Sequence, residues 1–460
     1  MADYAGLKRR IEDEDIAFID FRVVDLVGRW RHISIPAARF TEKLLRDGIG
    51  FDASNYGYRG VAGSDMVLLP DLDTGFVEER GGETVLVFIA DIHDAATRRR
   101  SSTDPRGVAQ AAVAAMRERG IADDILVSPE FEFYVFDAVR FESGVGRSCI
   151  ELEAVDGSAY RDSTAPWSGA PSAYHSPLPE DRLFGLRCEI ARQAAAAGVD
   201  VKYHHHEVGP FGQHEIELGF APLVKMADTT LLMKSLVRSI ADEAGLTATF
   251  LPKPMAGQAG NGMHLHQYLM KAGANQFKGS EGLSDLALCY IGGLLVHGRS
   301  LMGLTNPSTN SFRRLVPGYE APVGFTFGSG NRSVAVRIPA YARGDDMRME
   351  LRTMDATCNP YLAFAAILLA GLDGIARKLN AKDLGFGPVD AEAYKHAAGE
   401  SAPRTLDEAL DALEADHDYL TGSGAFTEAG IDEWVRAKRQ EAAAVLLHPH
   451  PHEFSLYYDL

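Results

Sequence analysis

The sequence predicts an α+β protein of two domains, and three observations carry that reading. The chain has 460 residues, more than one hydrophobic core usually organises. Its first part holds short strand-like runs separated by turn residues. Beyond them, strands that carry charged side chains alternate with long helical segments. Apolar residues make up 46% of the chain and charged residues 24%, with a formal net charge of −18. The first two values are ordinary for a globular protein. The third disfavours nucleic acid and anionic membrane as main partners, because both reward basic surfaces.

In chain order, AFIDFRVVDL (17–26), WRHISIP (30–36), DMVLLPD (65–71) and TVLVFIADI (84–92) are expected strands, with a short helix in AARFTEKLLRDG (37–48). The polar run RRRSSTDPRG (98–107) reads as a boundary between domains 1–104 and 105–460. Thr103 or Asp104 would cap a helix that has Pro105 at its first position and stops at Gly120. ADTTLLMKSLVRSIADEAG (227–245) is expected as a helix capped by Asp228, with Leu232, Leu236 and Ile240 on one face. The most apolar segment, YLAFAAILLAGLDGIARKL (361–379), contains Gly371 and Asp373 and reads as a buried helix rather than a membrane span. SAPRTLDEALDALEADHDYL (401–420) reads as a single helix. His448, His450 and His452 alternate with prolines and suggest an extended segment near a subunit contact. Tyr457 and Tyr458 are expected to pack. The charged start shows no signal-peptide pattern. The scattered Cys149, Cys188, Cys289 and Cys358 suggest reduced thiols in a cytoplasmic protein.

Four places put polar side chains at alternate positions of a strand, and so on one face. SPEFEFYVF (128–136) aligns Glu130 with Glu132. HHHEVGPFGQHEIEL (204–218) supplies Glu207, Glu215 and Glu217. GNGMHLHQYL (260–269) aligns His264 with His266, and RMELRTMD (348–355) aligns Arg348, Glu350 and Arg352. Any one pair could be an exposed sheet face. Repeated four times in strands otherwise poor in polar residues, the device points to a divalent-metal site, since clustered carboxylates repel unless a cation sits among them. Carboxylates with an imidazole and no thiolate suit Mg²⁺ or Mn²⁺, and so many carboxylates suggest more than one ion. Arginines in NSFRRLVPGYEAP (310–322) and GNRSVAVRIP (330–339) add what a transferring phosphoryl group requires. Neither GxxxxGK[ST] nor a strand-linked GxGxxG is present. His204, His205 and His206 are consecutive, so they cannot all converge on one ion.

Taken together, these segments resemble glutamine synthetase of the bacterial type I class. FDASN, KPMAGQAGNGMHLHQ, NPYLAFAAILLAGLDGI and HPHPHEFSLYY extend the likeness over almost the whole chain. The resemblance implies an N-terminal β-grasp domain, a catalytic domain with a curved antiparallel sheet, and a double-ring dodecamer with active sites between neighbouring subunits. It implies glutamate, ammonium and ATP as substrates. One metal would take Glu132, Glu207 and Glu215, the other Glu130, His264 and Glu350. Arg314 and Arg352 match glutamate-binding arginines, Arg332 and Arg337 those that hold the phosphate, and Gly260 a glutamate-contacting glycine. His266 and Phe220 match positions of the nucleotide pocket, with Arg348 close by. Asp52 matches the aspartate that binds and deprotonates ammonium, Glu320 the flexible-loop glutamate, and Tyr174 a tyrosine beside the ammonium site.

Four departures from the family pattern stand out. Ala259 replaces a glutamate-contacting asparagine, and Tyr268 replaces a serine near the nucleotide. FDGSS becomes FDASN followed by Tyr56, and Gly385 stands where an adenylylated tyrosine would be. Control by adenylylation is therefore not expected. The first three keep open a related activity, ligation of glutamate to an alkylamine, polyamine or ethanolamine-like acceptor. Asp52, Glu207 and Glu320 are all retained, which favours ammonia. A non-catalytic, ring-forming relative would show damage in the metal or arginine sets, and none is seen.

Overall fold

The computed structural model describes residues 4–57, 63–154, 173–390 and 401–460. The first sheet is built from β1 (Phe18–Val24), β2 (Trp30–Pro36), β3 (Ile49–Asp52), β4 (Asp65–Arg80) and β5 (Glu83–Asp94) in the order β2-β1-β5-β4-β3. β1 and β5 run parallel and the remaining pairs antiparallel. Ile19, Phe21, Leu68, Leu86 and Phe88 are fully buried on it, and Phe40 stacks on Phe88. This is the expected β-grasp arrangement.

The second sheet uses β6 (Asp124–Phe136), β9 (Val201–His206), β10 (Gln213–Leu218), β13 (Met263–Lys271), β15 (Phe327–Ser329), β16 (Val336–Ile338) and β17 (Met349–Leu351). Their order is β15-β16-β17-β13-β6-β10-β9, antiparallel except for the β15–β16 pair. Between β6 and β9 in the chain, β7 (Ala138–Ser143) and β8 (Ser148–Glu153) form a separate hairpin. The short β11 (Ala221–Pro222) and β12 (Thr247–Thr249) add to β6, and β14 (Ala274–Asn275) adds to β13. The long β6 is apolar on one face, where Phe131, Phe133 and Val135 are buried under helices. The helices Pro105–Glu118, Leu223–Glu243 and Pro360–Arg377 pack on one another, and the first two also on β6. Pro360–Arg377 is the one apolar helix of membrane-spanning length among the described residues, and 78% of it is buried.

Local chemistry explains the element ends. The Asp104 side chain accepts from the Arg106 N–H at 3.2 Å with Pro105 in the first turn, and the chain leaves that helix through Gly120 at φ +63°. Asn359 caps the Pro360 helix and donates its side chain to the carbonyls of Asp25 and Leu26, tying the two sheets' regions together. Gly28, at φ +88°, lies against Asn359 so closely that a Cβ would come within 2.8 Å of the Asn359 Cα.

Four expectations are corrected. The helix expected to start at Asp228 begins at Leu223. Asp228 lies inside it, because its carboxylate is held by Arg106 at 3.0 Å and Tyr361 at 2.5 Å rather than by a helix N-terminus. Residues 401–420 form two helices, Leu406–Ala415 and Asp418–Thr421. The break falls at Asp416 and His417, whose side chains serve distant partners, Asp416 with His297 and His417 with Glu428. The segment of His448, His450 and His452 is not extended throughout: His450, with an extended backbone, caps the helix Pro451–Tyr457 reciprocally with Glu453, and His452 lies inside that helix. Tyr457 and Tyr458 are exposed in the single chain rather than packed in a core.

Candidate active site

The strand register assembles the site. Across β6 and β10, Glu132 faces Glu215 and Glu130 faces Glu217. On the other side of β6, His264 faces Glu130. His266 then faces Glu350 on β17, and Arg337 on β16 faces Glu350. On β9, His205 sits opposite Glu215 and Tyr203 opposite Glu217. Alternation therefore places one row of ionisable side chains across six strands, while Phe131, Ile216, Leu265 and Leu351 project the other way into the core.

Distances confirm the clustering. Glu130 bridges His264 Nδ1 at 2.9 Å and His266 Nε2 at 2.7 Å. Arg337 donates to Glu350 at 2.6 Å, and Arg352 donates to the other oxygen of the same carboxylate. Glu132 accepts from the Gly262 N–H at 2.5 Å. Three groupings bring ligand atoms within 4.8 Å of one another: Glu130, His264 and Glu350; His205, Glu207 and Glu215; and Glu130, Glu217 and His266. The first matches the trio expected for one ion. In the second, His205 stands with Glu207 and Glu215, while Glu132 lies outside that tight trio. Strand parity gives its physical reason: His205 shares its face with Glu215, whereas His204 and His206 turn to Arg187 and His214. His205 and Glu217 were legible as alternating positions, but nothing in the sequence alone singled them out as site residues.

Charge in this row is uncompensated at one end. Burial, then Glu132 and Glu215, push the Glu207 carboxyl up to about 9. Burial, then Glu130 and Glu132, push Glu215 well above the usual carboxylate range. Burial also works to raise Glu130, but His266 and His264 outweigh it and hold Glu130 well below. Burial likewise works to raise Glu350, but Arg352 together with His266 and His264 outweighs it and holds Glu350 below the usual range. Like-charged carboxylates held this close are the environment a divalent cation relieves. The donors are oxygen and imidazole nitrogen only, which fits a hard cation such as Mg²⁺ or Mn²⁺. Glu217 Oε2 and His266 Nδ1 are buried without a partner, so the cluster retains unused ligand atoms.

The carboxylates open into a cavity of about 1330 Å³ lined also by Tyr174, Gly260, Arg314, Glu320, Arg332, Arg337 and Arg352. Arg314 is buried and pinned by the carbonyls of Thr353 and Arg352 at 3.0 and 3.1 Å. Arg352 also donates to the carbonyls of Arg332 at 3.1 Å and Glu320 at 3.3 Å, and so ties together the two loops that flank β15. Arg332 is half-exposed, 3.8 Å from Glu320. Gly260 is held through its carbonyl by Gln213 at 2.9 Å. Phe220, His266 and Arg348 do not line this cavity. Phe220 packs edge-on against Tyr268 at 5.0 Å, and the Arg348 guanidinium lies 5.9 Å from the Phe220 ring, forming a neighbouring aromatic and cationic patch. Asp52 stands apart, at the end of β3, where it caps its own turn by accepting from the Ser54 N–H at 2.9 Å. The structure thus gathers the metal and arginine sets but leaves Asp52 outside the cavity of its own chain.

Comparison with known proteins agrees with this geometry. The family model for the glutamine synthetase catalytic domain matches residues 102–457, and that for the glutamine synthetase β-grasp domain matches 15–95. The chain belongs to the glutamine synthetase family. It is 42% identical to the glutamine synthetase of Frankia alni over 98% of both chains, and 38% identical to that of Escherichia coli over the same shares. Among solved structures it is similar to the Plasmodium falciparum glutamine synthetase, with a TM-score of 0.90, 26% identity and coverage of 100% of this chain and 99% of that one. It is also similar to ligand-free GmaS, with a TM-score of 0.83, 29% identity and full coverage of both chains. This glutamine synthetase-family chain is therefore an enzyme of the amide-forming ligase class, and the family's use of ATP and divalent metal accords with the acidic and histidine clusters. Its departures from the family pattern have structural counterparts: the Ala259 carbonyl accepts from the Tyr134 hydroxyl at 2.8 Å, Tyr268 backs Phe220, and Gly385 sits in a turn at φ +77°.

Proposed function

We propose that the enzyme joins L-glutamate and ammonia to give L-glutamine, consuming ATP through γ-glutamyl phosphate. The observation that carries this is the shared sheet face, where the carboxylates meet the arginines across one cavity. Mg²⁺ or Mn²⁺, two or more per site, would be held by Glu130, His264 and Glu350 and by Glu132, Glu207 and Glu215, with His205 beside the latter. When bound, such ions supply charge neutralisation at phosphate oxygens. Arg314 and Arg352 would fix the glutamate carboxylates, and Arg332 and Arg337 the transferring phosphoryl group. Phe220, His266 and Arg348 would border the nucleotide. A γ-carboxylate oxygen of glutamate attacks the γ-phosphorus of ATP, and the bond to the bridging oxygen breaks to release ADP. Ammonium, bound among Glu207, Glu320 and a neighbouring subunit's Asp52, gives up a proton to a carboxylate. Its nitrogen then attacks the acyl carbon, and phosphate leaves with the bonding pair. Tyr174 would stand beside that nitrogen. The Asp52 position, outside the cavity of its own chain, supports a double-ring dodecamer with shared sites. We place the protein in the cytoplasm and the domain division at residues 104 and 105.

A second reading, an organic amine as acceptor, is favoured by the aromatic rim of the cavity. Tyr174 stacks on His175 with ring centroids 4.0 Å apart, and His175 meets His205 edge-on at 4.4 Å. The likeness to GmaS is a further reason to test it. Initial rates of phosphate release with glutamate plus ammonium, methylamine, ethanolamine or putrescine separate the two. A strong preference for any organic amine would overturn the ammonia assignment.

A further inference from the structure

A second cavity, of about 670 Å³, lies away from the active site. It is an open cleft lined by residues 27–31, the helix Leu223–Glu243, residues 248–251, 307–308 and 356–357 and the helix Glu428–Leu446, with Arg29 and Arg238 at its exposed mouth. The whole chain carries a net charge of −18. Yet Arg29, Arg31, Lys234, Arg238 and Lys438 all line this cavity, against the single carboxylate of Glu441. Two of these cations are neutralised locally, Arg31 by Asp25 at 3.0 Å and Lys438 by Glu441 at 3.0 Å. Arg29, Lys234 and Arg238 form no ion pair among the described residues. Lys234 is only 8% exposed, and its Nζ donates to the Ala356 carbonyl at 2.5 Å, a neutral acceptor. Burial, with a contribution from Arg238, pushes its ammonium down to about 8. Burial and Arg29 likewise lower Arg238.

Positive groups gathered this way repel one another, and a multivalent anion relieves the repulsion. Planar guanidinium forks match phosphate oxygens in pairs. The wall also carries apolar side chains, beside the hydroxyls of Ser235, Ser239, Thr249, Ser308 and Thr357. Trp30, Leu231, Phe250 and Leu251 line it, and the Arg238 guanidinium lies 5.8 Å from the Phe250 ring. The Trp30 indole N–H is buried without an acceptor. The volume lies in the range of small-molecule sites, roughly 300–1,000 Å³.

We infer that this cavity is a second binding site, for a phosphate-bearing organic anion of mononucleotide size. Arg29, Arg238 and Lys234 hold its phosphate, and Trp30 and Phe250 flank its ring. The location connects it to the active site. Phe250 packs on Phe133 and Phe131 at 5.5 and 6.4 Å, on the reverse of the strand that carries Glu130 and Glu132. The Leu251 carbonyl accepts from the Asn261 side chain at 2.9 Å, next to the Gly260 loop.

The test is calorimetric titration of the full-length enzyme with adenosine 5′-monophosphate, the active site first saturated with a non-hydrolysable ATP analogue and magnesium. One additional saturable site per chain is expected. Inorganic phosphate should bind it more weakly, and adenosine should not bind measurably. Arg29→Gln/Arg238→Gln should weaken the monophosphate by about tenfold or more while leaving kcat and analogue affinity unchanged. Lys234→Met, checked for folding by circular dichroism, should weaken it as well. No binding beyond the analogue's site, an unchanged affinity in a folded double variant, or adenosine binding as tightly as the monophosphate would each overturn the proposal.

Discussion

Burial and repulsion push the Glu207 carboxyl up to about 9, while Glu130, only a strand away, is held well below its usual range by two imidazoles. Residues of one type are thus set to opposite states by their neighbours alone. The prediction at this scale concerns the ligand row. Glu130→Ala and Glu132→Ala should each lower ATP-dependent ligation by about a hundredfold or more while the far-ultraviolet circular dichroism stays unchanged, because each removes a carboxylate from the face opposite the packed phenylalanines. Near-normal activity in either would return the strand to ordinary sheet surface. Gly260 offers a separate test. A Cβ there would meet the Pro252 carbonyl at 2.6 Å and the Arg314 Cγ at 2.9 Å. Gly260→Ala should therefore move the guanidinium proposed to bind glutamate, lowering kcat/KM for glutamate by about a hundredfold with less effect on the KM for ATP. The ligand row was legible in the sequence because a strand has period two, so parity alone puts Glu130 with Glu132 and His264 with His266. His205 was not, since parity says that three consecutive histidines must diverge but not which of them faces Glu215.

At the scale of elements, the sequence marks starts and stops well where the backbone itself supplies the signal, as at Asp104, Pro105 and Gly120. It misleads where a side chain that could cap a helix is claimed by another element. Asp228 is such a case. Arg106, on the Pro105 helix, reaches Asp228 at 3.0 Å and also Asp71 and Asp91, each at 2.8 Å, on β4 and β5. One buried guanidinium therefore clamps the first sheet to two helices of the catalytic region. Truncating it takes a partner from three carboxylates, of which Asp91 keeps Arg100 while the buried Asp228 has only Tyr361 left. Arg106→Ala should cost about 3–5 kcal/mol in chemical denaturation. Arg100→Ala should cost distinctly less, because its pair with Asp91 is partly solvated and its buried partner Asp104 keeps the N–H groups of Ile92 and Arg106. Equal losses would show that the clamp is not centred on Arg106.

Across the whole molecule, the two halves of the helical layer meet at His297, a contact no local pattern announces because its partners lie 76 and 119 residues further along the chain. The ring stacks on Tyr419 with centroids 4.0 Å apart, and its two nitrogens reach Asp373 at 2.8 Å and Asp416 at 2.7 Å. Asp373 is shared with Arg377 at 3.0 Å. Burial works against the imidazolium, but hydrogen bonds and charge from Asp416 and Asp373 outweigh it and raise His297 above its ordinary value of 6.5. A raised histidine contributes stability that is fully present below its unfolded pKa and disappears as the pH rises through its folded one. His297→Asn should accordingly destabilise the protein by about 2 kcal/mol near pH 6. The gap to wild type should shrink at higher pH, once the imidazolium has lost its proton. Denaturation midpoints of the two proteins across that range give the answer. A difference that stays constant with pH would mean that His297 joins these helices as a neutral hydrogen-bonding group, with its charge contributing nothing.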